Sequence, residues 1–474
     1  MSHKEVPNFL SSAEEIHPDA HSTPPSENRT IPTDKEIRQL TWKRDIRIIP
    51  LVFLFYLCSF LDRVNIGNAK LAGLTQDINM SEDEYNGALS IFFVGYILFE
   101  VPSNMMVNKV GPRLWIAVIQ LVWGVIMMSM AAAGLVPAIL FYLSIWYTRR
   151  EQAKRIAIFF CCLAASGAVG GLLAFGIVRL DGVQNLAGWQ WIFILEAIPT
   201  LVLSIVCYFA LPDFPETTPF LNEHERGVLL DILKADAGPV SDKGSNISWD
   251  QFRVSFRDWL LYGYCIIALG VIVDIYSVGM FLPSIIYGMG FQALTAQAMT
   301  VPPYIIAGIF TVLNGFSASK REERGIHAII PLLFAMLGFI LLMALNDDKK
   351  NLPGLYFAAI LITTGSFSAY GAIGPWFTNN FSGRTKRSVA VAFITCVGNV
   401  GGVIAGQIYR AEDSPHYRHG HLAAMIFCVV TVIGSLVMKT ALIRINKKRD
   451  NMTAEERLEI IKNGDMSTLI NRVI

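Results

Sequence analysis

The chain has 474 residues, of which 53% are hydrophobic and 16% charged, with a formal net charge of +1 and a mean hydropathy of +0.45. Soluble domains carry about 25% charged residues, so this composition excludes an ordinary soluble fold, and the near-neutral balance gives no case for nucleic-acid binding. The cysteines (Cys58, Cys161, Cys162, Cys207, Cys265, Cys396, Cys428) all fall in apolar segments without a CxxC pattern, which speaks against a disulfide framework or a zinc site.

In chain order, residues 1–36 are polar and rich in Pro and Ser and read as a disordered N-terminus. No cleavable signal peptide is visible, so the first span directs insertion. A hydrocarbon core about 30 Å thick needs about 20 apolar residues per helix. Spans are predicted at 48–70, 84–107, 156–179, 189–210, 258–285, 294–317, 326–345, 354–378, 388–409 and 421–443. Between them, Leu114 to Tyr147 forms one apolar run of 34 residues, about 51 Å as a helix. Basic residues gather on the cytoplasmic side. Lys109 and Arg113 precede this run, and Arg149, Arg150, Lys154 and Arg155 follow it, so it crosses an even number of times. It reads as two cramped crossings, 114–131 and 134–148, the second incomplete. Lys320, Arg321 and Arg324, then Arg384, Lys386 and Arg387, then Lys447, Lys448 and Arg449 keep the same orientation.

The domain plan is therefore an N-terminal transmembrane bundle over 37–210, a cytoplasmic central loop over 211–257, a C-terminal bundle over 258–445 and a cytoplasmic tail over 446–474. In the central loop, Asn222-Glu-His-Glu-Arg followed by Leu229, Leu230, Ile232 and Leu233 predicts a capped amphipathic helix. Trp249, Phe252, Phe256 and Trp259 predict an interfacial piece before the seventh span. Thr453-Ala-Glu-Glu456 predicts a short capped helix in the tail. The sequons at Asn28, Asn246, Asn380 and Asn451 all fall on the cytoplasmic side, so no N-glycan is expected.

The most informative pair is Asp62-Arg63, two opposite charges inside the first span. Each costs roughly 2.5–3.5 kcal/mol on insertion scales, so a chain keeps them where they pair, line a watery cavity or act on a solute. A guanidinium suits a carboxylate, which makes Arg63 a candidate anion anchor. Asp62 becomes a candidate proton-coupling acid. The alternative is a structural ion pair with other helices. Asp274, about 16 residues into the seventh span, reads as a proton site or substrate contact, or else as a packing hydrogen bond or outer gate. Glu196 reads as a structural pairing, and Glu100 as a partner for nearby cytoplasmic base. Tyr370, Trp376 and Asn380 on the tenth span, Asn399 on the eleventh and Tyr304 on the eighth could line a cavity near the midplane or serve as interhelical glue.

Several motifs together resemble one family. Asp62-Arg-Val-Asn-Ile-Gly-Asn-Ala-Lys-Leu-Ala-Gly73 is similar to a first-span signature, and Glu100-Val-Pro-Ser-Asn104 with Lys109-Val-Gly-Pro-Arg113 to the second span and its loop. Gly188-Trp-Gln-Trp-Ile-Phe-Ile-Leu-Glu196 and Leu211-Pro-Asp-Phe-Pro-Glu216 are similar to the sixth-span entry and the start of the central loop. The family is the fungal allantoate permease family, in the anion:cation symporter group of the major facilitator superfamily. The resemblance implies an all-α membrane protein of two six-helix bundles. It implies a secondary transporter at the plasma membrane with both termini cytoplasmic, no enzyme activity, no metal or prosthetic group, and a proton as the coupling ion. Its partners would be a small organic anion (allantoate, a ureido acid, nicotinate or a related carboxylate) and the lipid bilayer, with the protein a monomer. It assigns Lys109, Gly111 and Arg113, with Lys320 in the second half, to gating loops that latch the halves. It also implies a charged fourth span with an arginine and a glutamate before Ala-Gly-Leu-Val-Pro. Here Ala132 precedes Ala133-Gly-Leu-Val-Pro137 and that half-span is missing. The alternative function is accordingly a non-transporting nutrient sensor or an inactive variant.

Overall fold

The computed structural model describes residues 33–127, 142–143, 145–237, 255–321, 323–345, 351–381 and 384–452. All regular elements among these are helical. They are α1 (Asp34–Leu71), α2 (Glu82–Val110), α3 (Pro112–Met127), α4 (Arg149–Ile177), α5 (Gly188–Ala210), α6 (Glu223–Ala237), α7 (Trp259–Gly288), α8 (Val301–Arg321), α9 (Gly325–Leu345), α10 (Leu352–Asn379), α11 (Arg384–Ile408) and α12 (Arg418–Asp450). A short helix, Ala293–Met299, leads into α8.

The described start of the chain is more ordered than its composition suggests. Thr33 accepts from the Glu36 backbone N–H at 3.4 Å, and the Glu36 carboxylate accepts from Thr33 N at 2.8 Å. This reciprocal pair caps a helix that begins at Asp34, inside the stretch expected to be disordered. Residues 1–32, the missing half-span at 128–141, the Trp249–Phe252 part of the interfacial piece and the Thr453–Glu456 tail helix lie outside the described residues.

From Lys43 onward the helices form one packed body. Among the described residues, eight helices are long and apolar enough to cross a membrane. Their surfaces agree with lipid contact. On α9, Ile326, Ile330, Leu333, Leu337 and Ile340 are all exposed at helical spacing, and on α12 so are Leu422, Ile426, Val430, Ile433 and Val437. Such contiguous apolar stripes are stable against acyl chains and not against water. By contrast the most apolar stretch of α7 is 89% buried, and the helix packs at the centre of the second half. There α7 packs on α10, α11 and α12, and α9 on α10 and α12.

Across the halves, α2 lies against α11 and α4 against α8 and α10. The partners run antiparallel: Asn86 meets Tyr409, Ser90 meets Val403, and Cys396 meets Ile97. One end of the body therefore collects the basic residues that flank the helices. This basic end is stitched within each half. Arg155 grips Asp45 through two bonds of 2.6 Å, and its guanidinium lies 4.2 Å from the Tyr147 ring centre. Arg44 bonds Glu151 at 3.1 Å, and Thr148 and Glu151 cap α4 reciprocally. In the second half Lys386 pairs with Asp258 at 2.8 Å, and Lys439 with Glu323 at 2.7 Å.

The central-loop helix starts where its sequence predicts. Asn222 accepts from Glu225 N at 2.7 Å, and the Glu225 carboxylate accepts from Asn222 N at 3.0 Å. Lys43 of α1 bonds that same carboxylate at 2.7 Å, so α6 is moored to the first half. Burial alone would raise the Glu225 carboxyl; the bonds from Lys43 and Asn222 outweigh it and hold it below the ordinary carboxylate range.

The apolar run from Leu114 is described only at its ends, and both ends reach the same corner. Before it, Gly111 adopts φ +94°, and a Cβ there would come 2.9 Å from Asp213 Oδ1. After it, Tyr142 donates to Pro212 O at 2.8 Å, and Trp146 donates to Asp213 O at 3.1 Å. The residues on either side of the run thus lie at one end of the body. α3 itself packs on α5.

Candidate functional site

The centre of the body, between the halves, is formed by the middle of α1. Residues 58–65 are buried on every side, Asp62 at 3% and Arg63 at 7% exposure. Neighbouring positions on an α-helix point about 100° apart, so the two charges address different helices. The Thr200 hydroxyl of α5 donates to Asp62 Oδ2 at 3.1 Å, inside the first half. Arg63 Nη1 donates to the Tyr276 hydroxyl of α7 at 2.9 Å, across to the second half. Its guanidinium also lies 5.9 Å from the Phe92 ring centre. One turn on, Asn65 donates to Glu196 of α5, which gives Glu196 the structural pairing expected for it.

Aromatic rings enclose this centre. Tyr276 packs against Phe60 (6.2 Å) and Phe93 (4.5 Å), and Phe60 against Phe367 of α10 (6.4 Å). Toward the basic end, Phe160 of α4 meets Tyr370 of α10 edge-on at 4.4 Å. Tyr370 therefore lies at the seam between the halves. Tyr304 lies at the same seam farther from the basic end, its ring over Gly167 and 5.6 Å from Phe367. Asn399 is buried on α11, the helix wedged between α7 and α2. Asp274 is fully buried within the second half, with the Cys428 thiol of α12 as its polar neighbour. It does not join the Asp62–Arg63 centre. Trp376 and Asn380 also belong to the second half, with Asn380 donating to Tyr264 at 2.7 Å. At 6% exposure the Asn380 sequon is closed to glycosylation in the folded chain.

The end opposite the basic one is shut. Asn86 donates to Tyr409 O at 3.4 Å, and Gln407 donates to Asn86 O at 2.9 Å and to Ser90 Oγ at 2.7 Å. Gln297 donates to Asn68 O at 3.2 Å. Gly67 lies directly on the Met280 carbonyl, and Gly402 on the Phe93 ring, where no larger residue fits without displacement. Small residues are what let helices of opposite halves come this close.

The predicted gating residues lie at the basic end. Arg113 donates to Tyr208 O, with its guanidinium 5.0 Å from the Tyr208 ring centre, so in this conformation it fastens α3 to α5. Gly111 abuts Asp213 as described above. Lys320 is exposed near the end of α8. The Lys109 and Glu100 side chains lie outside the described set. Nearby, burial pulls the Arg324 guanidinium down to about 10. Burial alone would raise the Glu323 carboxyl; the bonds from Lys439 and from Ile326 N–H outweigh it and hold it below its ordinary range.

A cavity of about 630 Å³ lies away from this centre. It is an open groove between α4 and α8, lined by Ala165, Leu172, Ile305 and Ile309 and almost wholly apolar. It fits lipid better than a polar solute. Among the described residues no group of His, Cys, Asp or Glu is placed to hold a metal. Three polar residues of the centre, Asn65, Thr200 and Tyr276, were not singled out from sequence. Asn65 follows Asp62 by one turn and could have been read from that spacing. Tyr276, 213 residues from Arg63, carried no local signal.

Comparison with known proteins gives the family. Residues 52–406 match the model of the Major Facilitator Superfamily. An uncharacterized transporter of Schizosaccharomyces pombe is 32% identical over 91% of this chain and 89% of its own length. The MFS transporter prlL of a fungal species (strain NRRL 50135) is 32% identical over 84% of this chain and 86% of its own. A protein of Agrobacterium vitis, named as a candidate tartrate transporter, is 30% identical over 80% of this chain and 86% of its own. Among solved structures, the proton:xylose symporter XylE superposes with a TM-score of 0.65 at 15% identity, covering 84% of this chain and 96% of that one. The chain belongs to the Major Facilitator Superfamily, as a multi-pass membrane protein and secondary transporter of a small molecule, not an enzyme.

Proposed function

We propose that the chain imports a small organic anion together with a proton. The observation that carries this reading is the split orientation of Asp62 and Arg63. The cation reaches across to the moving half, where a carboxylate solute would replace the Tyr276 hydroxyl. The acid is held inside its own half, where a proton can be kept apart from the solute. A bidentate carboxylate is the natural partner of a buried guanidinium. Tyr370, Asn399 and Tyr304 would complete the solute's surroundings, and Asp274 would carry a proton in the second half. The motif resemblance to allantoate permeases and the name of the Agrobacterium vitis relative both point to carboxylates.

In this reading the basic end is cytoplasmic, so the closed end faces outward and the conformation is shut to the outside. Both termini are cytoplasmic, the membrane is the plasma membrane and the protein acts as a monomer. Transport proceeds by rocking of one half against the other. Lys109, Gly111, Arg113 and Lys320 form the loops that change partners as the cytoplasmic end closes.

The test is uptake of labelled small carboxylates by cells expressing the full chain, across a range of external pH. Uptake faster at acid pH, lost in Arg63→Ala and flattened in Asp62→Asn, is expected. Uptake indifferent to both residues would sink the mechanism. Binding without flux would favour the sensor alternative.

A further inference from the structure

Two buried acids meet on the first-half side of the centre. Asp62 and Asn65 are three residues apart on α1, and Glu196 and Thr200 four apart on α5, so each pair shares one helix face. Two rungs join the faces. The Thr200 hydroxyl donates to Asp62 Oδ2 at 3.1 Å, and Asn65 Nδ2 donates to Glu196 Oε2. Asp62 and Glu196 are each 3% exposed, and Asn65 and Thr200 are wholly buried.

The second rung is incomplete. Glu196 Oε1 and Asn65 Oδ1 are buried and have no hydrogen-bond partner among the described residues. Both belong to the groups that the Asn65–Glu196 bond already holds together. An amide oxygen and a carboxylate oxygen are both acceptors, so neither can satisfy the other. The surroundings offer no donor. A Cβ on Gly170 of α4 would stand 3.6 Å from Asn65 Oδ1, and Phe92 of α2 and Phe193 pack on Ala197, the residue after Glu196. Buried acceptors left without a donor are costly and call for an explanation.

The charged and titratable neighbours supply no cation. On α1, Asp62 acts electrostatically on Glu196, and the Cys58 thiol lies within range of both acids. Arg63 Nη1 is directed across the seam to Tyr276. From α3, Arg113 is bonded to Tyr208 O at the basic end. From α4, Ala174 and Ile177 pack on Ile192, one turn before Glu196. Just past α4, Arg179 lies over the Phe175 ring, and Asp181 accepts from Gly188 N at the start of α5. Among the described residues no Lys, Arg or His is paired with Glu196. Two like charges held together in a dry site are strongly disfavoured.

We propose that Glu196 holds a resident proton on Oε1, donated to Asn65 Oδ1, so that the two side chains form a closed acid–amide pair. One proton then satisfies both unpartnered atoms. The carboxylic O–H donates to the amide oxygen while the amide N–H donates to the carbonyl oxygen of the acid. The Thr200 hydroxyl that donates to Asp62 supports a carboxylate there instead. This deepens the reading above and rests on it in taking Asp62 as the coupling acid and Arg63 as the anion's anchor. With Glu196 neutral, Asp62 balances Arg63, and the centre carries no net charge before the solute arrives. A carboxylate at Arg63 and one proton on Asp62 leave it uncharged again. The Glu196 proton stays in place throughout and sets the ratio at one coupling proton for each negative charge carried.

The test needs no solute. Infrared spectra of the full chain in phosphatidylcholine membranes are recorded at about pH 7, where an ordinary glutamate, titrating near about 4.3, is ionised. A protonated carboxyl shows a C=O stretch that a carboxylate lacks, and the band moves in deuterated water. The wild-type minus Glu196→Gln difference should contain such a band. Asn65→Ala should displace it, because the carbonyl loses its donor, and Asp62→Asn should leave it in place. Glutamine also supplies an N–H where the acid's proton would be. The melting midpoint of Glu196→Gln should therefore stay near that of the wild type, whereas Glu196→Ala should lower it. A difference spectrum without the band, its loss in Asp62→Asn, or a Glu196→Gln midpoint as low as that of Glu196→Ala would overturn the proposal. The band reports the proton without transport, so it can be absent while uptake follows pH, and present where uptake ignores it.

Discussion

Gly402→Leu should hold the outer end open. A Cβ at Gly402 meets three atoms of the Phe93 ring, the farthest of them at 2.6 Å, where carbon atoms in contact stand about 3.5–4.0 Å apart. Phe93 has little room to yield, being 2% exposed and packed against Phe92 at 5.0 Å and Tyr276 at 4.5 Å. Overpacking of this kind costs about 1–3 kcal/mol. In the proposed rocking cycle the cost falls on one conformation only, because α2 and α11 would part when the end opposite the basic one opens. The ratio of outward-closed to outward-open molecules should therefore drop by roughly 5- to 150-fold. The assay is labelling of a reporter cysteine, Met280→Cys, by a membrane-impermeant thiol reagent in intact cells. Met280 is 3% exposed and lies on Gly67 in the closed form. The parent chain without the reporter gives the background from the native cysteines. Labelling should rise strongly in Gly402→Leu and fall back when Phe93→Ala is added, since that removes the ring in the way. Equal labelling with and without Gly402→Leu, or no rescue by Phe93→Ala, would refute the reasoning.

Three further outcomes are expected. Gly111→Ala introduces a β-carbon at φ +94° and 2.9 Å from Asp213 Oδ1, and should destabilise by about 1–3 kcal/mol, seen as a lower melting midpoint of the purified protein. Arg155→Lys keeps the charge but loses the two-pronged grip on Asp45 and should cost about 1–2 kcal/mol in the same assay; an unchanged midpoint would show that charge alone suffices there. The Glu323 carboxyl is held below its ordinary range when folded, so its contribution is present above the unfolded value of about 4.3 and is lost as pH falls through the folded value. The wild-type midpoint should therefore decline below about pH 4 more steeply than that of Glu323→Gln, and parallel curves would contradict this.

The parts of the fold that could be read from sequence are those with local causes. Long apolar runs specify spans wherever they occur, and Asn222 with Glu225 specifies a helix start within four residues. Thr33-Asp-Lys-Glu36 is the same kind of signal, yet the composition around it masked it, and α1 proved to begin fourteen residues before its apolar stretch at Ile48. The charges Asp62 and Arg63 declared themselves because a membrane makes them costly. Their partners did not. Thr200 and Tyr276 are common residues lying 138 and 213 positions away, and only the packing of α5 and α7 on α1 selects them.

The corner at Pro212-Asp213 has a consequence for how such chains can vary. It receives the chain just before the apolar run and again just after it. With entry and exit pinned to one spot, the number of residues between them is decoupled from the orientation of everything downstream. A segment can be lost from the middle without inverting the second half, because parity is set by where the ends are anchored and not by what lies between them. Shortening there would cost local packing and any group the lost segment carried, while leaving the address of each later helix intact.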